Sequence, residues 1–314
     1  MNQNSSQDVS VIIVISKRYD DVELVFKEYK EALESKVASY EFIYVLDGQH
    51  PDALAKLKSL KDKGENIRIF SFTGWFGEAA ALRVGFEHAS ADTLLTLPPY
   101  LQVKPEGLEK LLSQLDGNDM VVGKRWPRID SKLNRLQTKL FHKIQGMVTK
   151  SGFSDLGCGV RAFSKKVAME VSVYGDQHRF MPLLVEQKGF KVAEVELAQS
   201  ESDLHKRLYT PGVYLRRILD ILTVFFLVKF TKKPLRFFGL IGSVIFVLGL
   251  LFLAYVVVER VAFGLPLADR PALLLSSLLI VLGVQVFVLG LIGELVIFTH
   301  ATELDEYEIE EIIE

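Results

Sequence analysis

Two stretches near the carboxyl end constrain the fold of this chain more than any other feature. Phe237 to Val258 runs for 22 residues without a charge, and Ala272 to Phe298 is again apolar, interrupted by Gln285 and Glu294. About 20 apolar residues suffice for a helix to cross a bilayer, and helices in soluble cores seldom stay uncharged for so long. Two such segments joined by the short link of residues 259–271 predict a membrane hairpin. Flanking charge orients it: Lys229, Lys232, Lys233 and Arg236 precede the first span, whereas the link carries Arg260 and Arg270 beside Glu259 and Asp269. The positive-inside rule then puts the amino-terminal part and the acidic tail of residues 299–314 in the cytoplasm, with the hairpin in the inner (cytoplasmic) membrane. Glu294 lies near the cytoplasmic end of its span. It either snorkels to the interface or serves as a functional intramembrane carboxylate.

Ahead of the hairpin the chain reads differently. A net charge of −2 at pH 7 argues against nucleic acid as a partner. One cysteine, Cys158, excludes an internal disulfide framework and is expected to be buried and unreactive. The opening residues, MNQNSSQDVS, lack the basic end and apolar core of a secretion signal, so this part is expected to stay in the cytoplasm. Residues 215–230 are apolar but charged at Arg216, Arg217, Asp220 and Lys229, too short and too charged to span, and read as a helix lying in the membrane interface.

From Val9 to Leu197 short apolar runs alternate with helical patterns. VSVIIVI (9–15), YEFIYVL (40–46), IRIFSF (67–72), TLLTL (93–97) and MVVG (120–123) predict strands, most of them apolar nearly throughout, as strands buried on both faces are. Residues 20–37, 51–63, 77–90 and 104–115 carry apolar residues at helical spacing. The alternation predicts an α/β domain with a mostly parallel sheet and helices on both faces. Polar residues gather after the strands: Asp47 and Gly48 after the second, Gln102 in LPPYLQ after the fourth, and Lys124, Arg125 and Arg128 in GKRWPR after the fifth. In such a sheet the carboxyl ends of the strands hold the ligand. No glycine-rich dinucleotide or P-loop pattern is present.

Taken in order, VSVIIVI, VLDG, FGEAAALRVGFEHA, VGKRWPRID, SDLGCGVRAFSKKV, YGDQHRFMPLLVEQKGFKVAEVEL and the late GLIGEL resemble the family 2 glycosyltransferases. More narrowly, the chain resembles the polyprenyl-phosphate glycosyltransferases, relatives of dolichol-phosphate mannose synthase with a carboxyl-terminal membrane hairpin. The resemblance covers nearly the whole length. It implies a GT-A domain, a Rossmann-like mostly parallel sheet, over residues 1–207. A juxtamembrane segment (208–236), a two-helix transmembrane hairpin (237–298) and an acidic tail (299–314) follow. It further implies an inverting transfer of sugar from a nucleotide-sugar donor to a polyprenyl phosphate in the membrane.

Carried over residue by residue, the resemblance makes Asp155 catalytic and gives Asp47, Gly48 and Gln102 to the nucleotide. Lys124, Arg125, Arg128 and Arg161 go to phosphate, and His178, Arg179, Lys206 and Arg207 to the acceptor side. Seven of them have a plainer reading as well: Asp155 and Asp47 as turn residues, Arg125 and Arg128 as solvated charges, Arg161 as the partner of a carboxylate, His178 and Arg179 as structural hydrogen-bonding groups.

One departure is large. The family ends its fourth strand in an acidic motif resembling DADLQ that holds Mg²⁺ or Mn²⁺ against the diphosphate. Here Pro98 and Tyr100 stand at the two aspartate positions and Gln102 is retained. A glutamine alone is a poor site for a hard cation, so no metal cofactor is expected. The family's asparagine before Gly77 is Trp75, and the first strand continues into SKRYDD. Two readings stand. One is a glycosyltransferase working without a metal. The other is a catalytically silent glycosyltransferase fold serving as a binding or scaffold subunit, with a second copy or an active paralogue as partner.

Overall fold

The computed structural model describes residues 8–34, 36–127, 153–171, 175–203, 234–264 and 271–300. The chain divides into two compact units, residues 1–224 and 225–314. Arg128, Lys206, Arg207 and the predicted interfacial helix lie outside the described residues.

The first unit is built on a seven-stranded sheet with the order β3-β2-β1-β4-β6-β5-β7. Its strands are β1 (Val9–Ile15), β2 (Tyr40–Leu46), β3 (Ile67–Ser71), β4 (Thr93–Leu97), β5 (Met120–Arg125), β6 (Arg161–Ser164) and β7 (Val192–Leu197). All pairings are parallel except those of β6, which runs antiparallel between β4 and β5. Helices α1 (Val22–Glu34), α2 (Pro51–Asp62), α3 (Glu78–His88), α4 (Leu108–Ser113), α5 (Lys165–Glu170) and α6 (Met181–Gln187) cover both faces.

Alternation along β1 shows why the strands read as continuous apolar runs. Val9, Val11, Ile13 and Ile15 enter one core with Phe26, Tyr29 and Leu33 of α1 and Leu57 of α2. Ile12 and Val14 enter the other with Ala81, Leu82 and Phe86 of α3 and Met181 and Val185 of α6. Side chains of successive strand residues point to opposite faces, so a strand covered on both needs apolar residues at every position. Gly85 lets α3 approach closely; a Cβ there would stand 2.5 Å from Ile12 Cγ2.

Two strands carry no such signal. β7 reads VAEVEL, with Glu194 and Glu196 on alternate positions, because it is an edge strand paired to β5 alone. β6 has four residues and begins with a charged one, Arg161.

The second unit contains helices α7 (Pro234–Phe263) and α8 (Pro271–His300), each long and apolar enough to cross a bilayer. They pack as an antiparallel pair along a seam of glycines. A Cβ on Gly242 would lie 2.6 Å from Phe287 N, and one on Gly283 would lie 2.5 Å from Phe246 N. Lipid gives apolar helices no hydrophobic reason to associate, so close approach of backbones through small residues is what holds such a pair. Glu294 has a definite partner: its carboxylate accepts from Leu235 N–H at 3.3 Å, in the first turn of α7. That is a favourable place for a negative charge.

Candidate active site

The sheet order places its topological switch between β1 and β4. From β1 the chain moves outward to β2 and β3 on one side, and β4 continues on the other. In open α/β sheets the region outside the carboxyl ends of two such strands is the usual ligand position. Residues 16–20 leave β1 and residues 98–102 leave β4 at this point.

The β4 exit is held firmly. Tyr29 Oη of α1 lies 3.2 Å from Pro98 O and 3.1 Å from Tyr100 O, and Asp20 N–H donates to Pro99 O at 2.9 Å. Gln102 is buried, and its carboxamide is committed to the neighbouring loop. It donates to Gly157 O at 3.2 Å and accepts from Gly159 N–H at 2.7 Å. Gln102 therefore clasps the 157–159 turn, a use different from the nucleotide contact expected of it.

Behind this exit runs a line of buried charge. Arg125 Nε and Nη2 donate to the two oxygens of Asp155 at 2.7 and 2.8 Å, and Arg125 Nη1 donates to Asp203 Oδ2 at 3.1 Å. Asp203 Oδ1 accepts from Arg18 Nη1 at 3.2 Å, and the Arg18 guanidinium stacks on the Tyr100 ring with its carbon 3.6 Å from the centroid. Arg125, Asp155 and Asp203 are each at most 5% exposed by side chain. Burial opposes the charge on Arg125, but the hydrogen bonds to Asp155 more than offset it and hold the guanidinium protonated. Glu194 on β7 fixes the other side of the turn, accepting from Ser154 N–H at 2.8 Å and Asp155 N–H at 3.1 Å. Arg125 and Asp155 thus stand together, yet each is already paired.

Arg161 is buried, and its guanidinium donates to the carbonyl oxygens of Cys158, Leu156, His178 and Arg179. A planar fork of five donors suits this bracket, which ties the 155–161 turn to residues 178–179. Burial lowers the pKa of Arg161. The Cys158 thiol, also buried, is pushed up to about 12 and is inert as a nucleophile near neutral pH.

On the other flank, Asp47 is buried and accepts from Phe76 N–H at 2.7 Å and Gly77 N–H at 3.1 Å, fixing the two residues that lead into α3. Gly48 has φ +96° and lies under Trp75, whose ring carbon would stand 2.6 Å from any Cβ there. Trp75 meets His50 edge-on at 5.3 Å, and His50 meets Tyr19 in the same way at 5.3 Å. Glu78, the first residue of α3, pairs with His178 at 3.2 Å. Burial raises the Glu78 pKa, but His178, Arg179 and Arg161 outweigh it and leave the value lowered. Lys124 pairs with Glu196 at 3.1 Å and stands over Trp126; Arg179 is exposed.

The contacts form two groups near the carboxyl edge of the sheet: the charge line Arg18–Asp203–Arg125–Asp155, and the Trp75–His50–Tyr19 ring cluster beside Asp47, with the Arg161 bracket holding residues 178–179 and His178 pairing with Glu78. Arg18, Asp203, His50, Glu78 and Glu194 were not singled out in the sequence. Arg18 alone had a usable signal, a cation directly after the first strand. The β4 exit does not fit a divalent ion: Pro98, Pro99 and Tyr100 bring no carboxylate, and Gln102 is spent on backbone groups. No group of three or more His, Cys, Asp or Glu side chains converges as a metal site among the described residues.

Comparison with known proteins gives this architecture its relatives. Residues 10–172 match the model described as glycosyl transferase family 2, and residues 233–297 match that of the GtrB C-terminal hairpin. The undecaprenyl-phosphate 4-deoxy-4-formamido-L-arabinose transferase of Enterobacter sp. (strain 638) is 26% identical over 310 residues, covering 97% of this chain and 93% of that protein. The dodecaprenyl-phosphate galacturonate synthase of Rhizobium johnstonii is 25% identical, covering 94% and 89%. Among solved structures, Mycobacterium tuberculosis glucosyl-3-phosphoglycerate synthase superposes with a TM-score of 0.52 at 15% identity, over 71% of this chain and 82% of that one. Its complex with Mg²⁺ and uridine diphosphate gives 0.51 at 14% identity, over 71% and 80%. These structures share the fold of the first unit.

Proposed function

Because the chain belongs to glycosyl transferase family 2, we propose that it moves a sugar, with inversion, from a nucleotide-sugar to a polyprenyl phosphate in the membrane, without a bound metal. One observation carries the reading. Relatives named for transfer to undecaprenyl or dodecaprenyl phosphate align over nearly the full length, sheet domain and hairpin together. The acceptor of such a reaction is held in the bilayer, which gives an anchored sheet domain its purpose. By the positive-inside rule the sheet domain and the tail face the cytoplasm of the inner membrane.

In this reading the acceptor phosphate oxygen attacks the anomeric carbon as the bond to the nucleoside diphosphate breaks. A phosphate monoester, with its second pKa near ~6, is already largely dianionic at neutral pH and asks little of a general base. Asp155, fixed by Arg125 and by Glu194 from behind, orients the acceptor. The nucleotide lies along the Asp47–Gly48 rim under Trp75, with Gln102 and Asp47 shaping the walls. Lys124, Arg125 and Arg128 stabilise the departing diphosphate, and His178, Arg179, Lys206 and Arg207 face the acceptor. The second reading, a silent binding subunit, is favoured by one observation: both oxygens of Asp155 are occupied by Arg125.

The deciding assay uses full-length protein in membranes containing polyprenyl phosphate, with UDP- and GDP-sugars and chelator present, beside an Asp155→Asn variant. Lipid-linked sugar that forms with chelator and falls about 10²–10⁴-fold in the variant supports transfer. Nucleotide binding without any product, with or without added Mn²⁺, overturns it in favour of the silent subunit.

A further inference from the structure

We propose that Arg18, seated on the ring of Tyr100, is a further cation that receives the donor's diphosphate at the switch point between β1 and β4, beside the Lys124–Arg128 group. The inference rests on the transferase reading above and deepens it by assigning a residue that the sequence comparison leaves out.

Three observations converge. The first is position: Arg18 leaves β1 and Tyr100 leaves β4, so the stacked pair spans the topological switch point of the sheet. The second is unused donors. The Nε and Nη2 atoms of Arg18 are buried and make no hydrogen bond, while Nη1 is taken by Asp203. Buried N–H groups without an acceptor are costly, and an arriving phosphate oxygen would relieve that cost. The Arg18 side chain is 26% exposed through its other atoms, so the residue as a whole is not sealed from solvent. A guanidinium held over a ring by cation–π attraction, which has little directional preference about the ring normal, turns at small cost and lets those donors follow an incoming oxygen.

The third observation is charge balance. Arg125 is shared between Asp155 and Asp203, whereas Arg18 holds Asp203 by a single nitrogen. Of the two arginines, Arg18 therefore keeps the fork geometry that matches two phosphate oxygens. No carboxylate stands on the β4 exit to repel the anion or to recruit a metal ion in its stead. The phenol ring takes the place such a side chain would fill and serves as a floor for the guanidinium.

The test is calorimetric titration of the full-length protein in detergent with UDP, GDP and inorganic pyrophosphate, with chelator and with added Mn²⁺. Wild type is expected to bind a diphosphate equally well under both conditions. Arg18→Gln should weaken diphosphate binding about ten- to hundredfold while leaving uridine and guanosine binding unchanged. Arg18→Lys should fall in between. Asp203 keeps Arg125 and Gln199 in the Arg18→Gln variant, so the domain is expected to fold. Tyr100→Leu provides a second route, removing the floor but not the ion pair, and should weaken binding severalfold. Unchanged diphosphate affinity in Arg18→Gln overturns the proposal while the transferase reading stands; loss of wild-type binding on chelation overturns the proposal and, with it, the metal-free part of that reading. Failure of wild type to bind any of the three probes overturns both.

Discussion

The mouth of the sheet and the seam between the two long helices solve one problem by opposite means. In both, chain segments distant in sequence come as close as their atoms allow. At the mouth, Arg18, Asp203, Arg125 and Asp155 do this with alternating charges that satisfy each other out of water. Along the seam, Gly242, Gly249 and Gly283 do it by having no side chain. The mouth is sensitive to taking something away, because the partner left behind is a bare buried charge. The seam is sensitive to adding something, because the neighbouring atoms are backbone and have nowhere to go.

The contrast can be broken most sharply at the mouth. Arg125→Met leaves Asp155 without its bidentate partner and should cost about 3–5 kcal/mol in denaturant unfolding of the sheet domain. Arg125→Met combined with Asp155→Leu should recover most of that stability without restoring transfer, because removing both charges removes the penalty. A double variant no more stable than the single one would show that the pair does more than neutralise itself.

Next in size is the seam. Gly283→Leu places atoms where Phe246 N and Cα stand, 2.5 and 2.7 Å from the first added carbon, and should cost about 1–3 kcal/mol. It should appear as early thermal aggregation in detergent. Ser243→Leu, at an exposed position of the partner helix α7, is the control and should behave as wild type.

The smallest effect is a pH effect that sharpens the distinction on the rim. Glu78 has its pKa lowered from 4.5 in the folded state, so in acid the unfolded chain binds the proton first. Its contribution to stability is complete above the unfolded value and disappears as pH falls through the lowered folded value. Glu78→Gln should therefore lower the melting temperature slightly at pH 6 and leave it unchanged at strongly acid pH, as read by thermal scans across that window. Half-exposure of the side chain keeps the effect small.

Much of this architecture was legible because it depends on local composition. A run without charge announces a span, and the apolar runs at 9–15, 40–46 and 93–97 announce strands covered on both faces. β6 and β7 escaped because a four-residue strand and a half-wet edge strand leave too little apolar pattern. At the site, strand ends indicated where chemistry gathers but not which groups would meet there. That Arg161 brackets carbonyls was not legible, since nothing in VRAF tells which way its fork points. Asp203, in a polar stretch before the hairpin, gave no sign that it would meet Arg18.

That last pairing joins residues 185 positions apart. During synthesis Arg18 is made early and must wait for its carboxylate until β7 and the turn beyond it have emerged. A nascent chain that stops short of Asp203 holds the Tyr100 ring but not the carboxylate that pairs with Arg18 and Arg125. The charge line at the sheet's carboxyl edge is therefore among the last parts of the sheet domain to be completed, ahead in sequence of the first apolar helix at Pro234. The order of the chain makes closure of that line and arrival of the apolar hairpin successive events in the life of the protein.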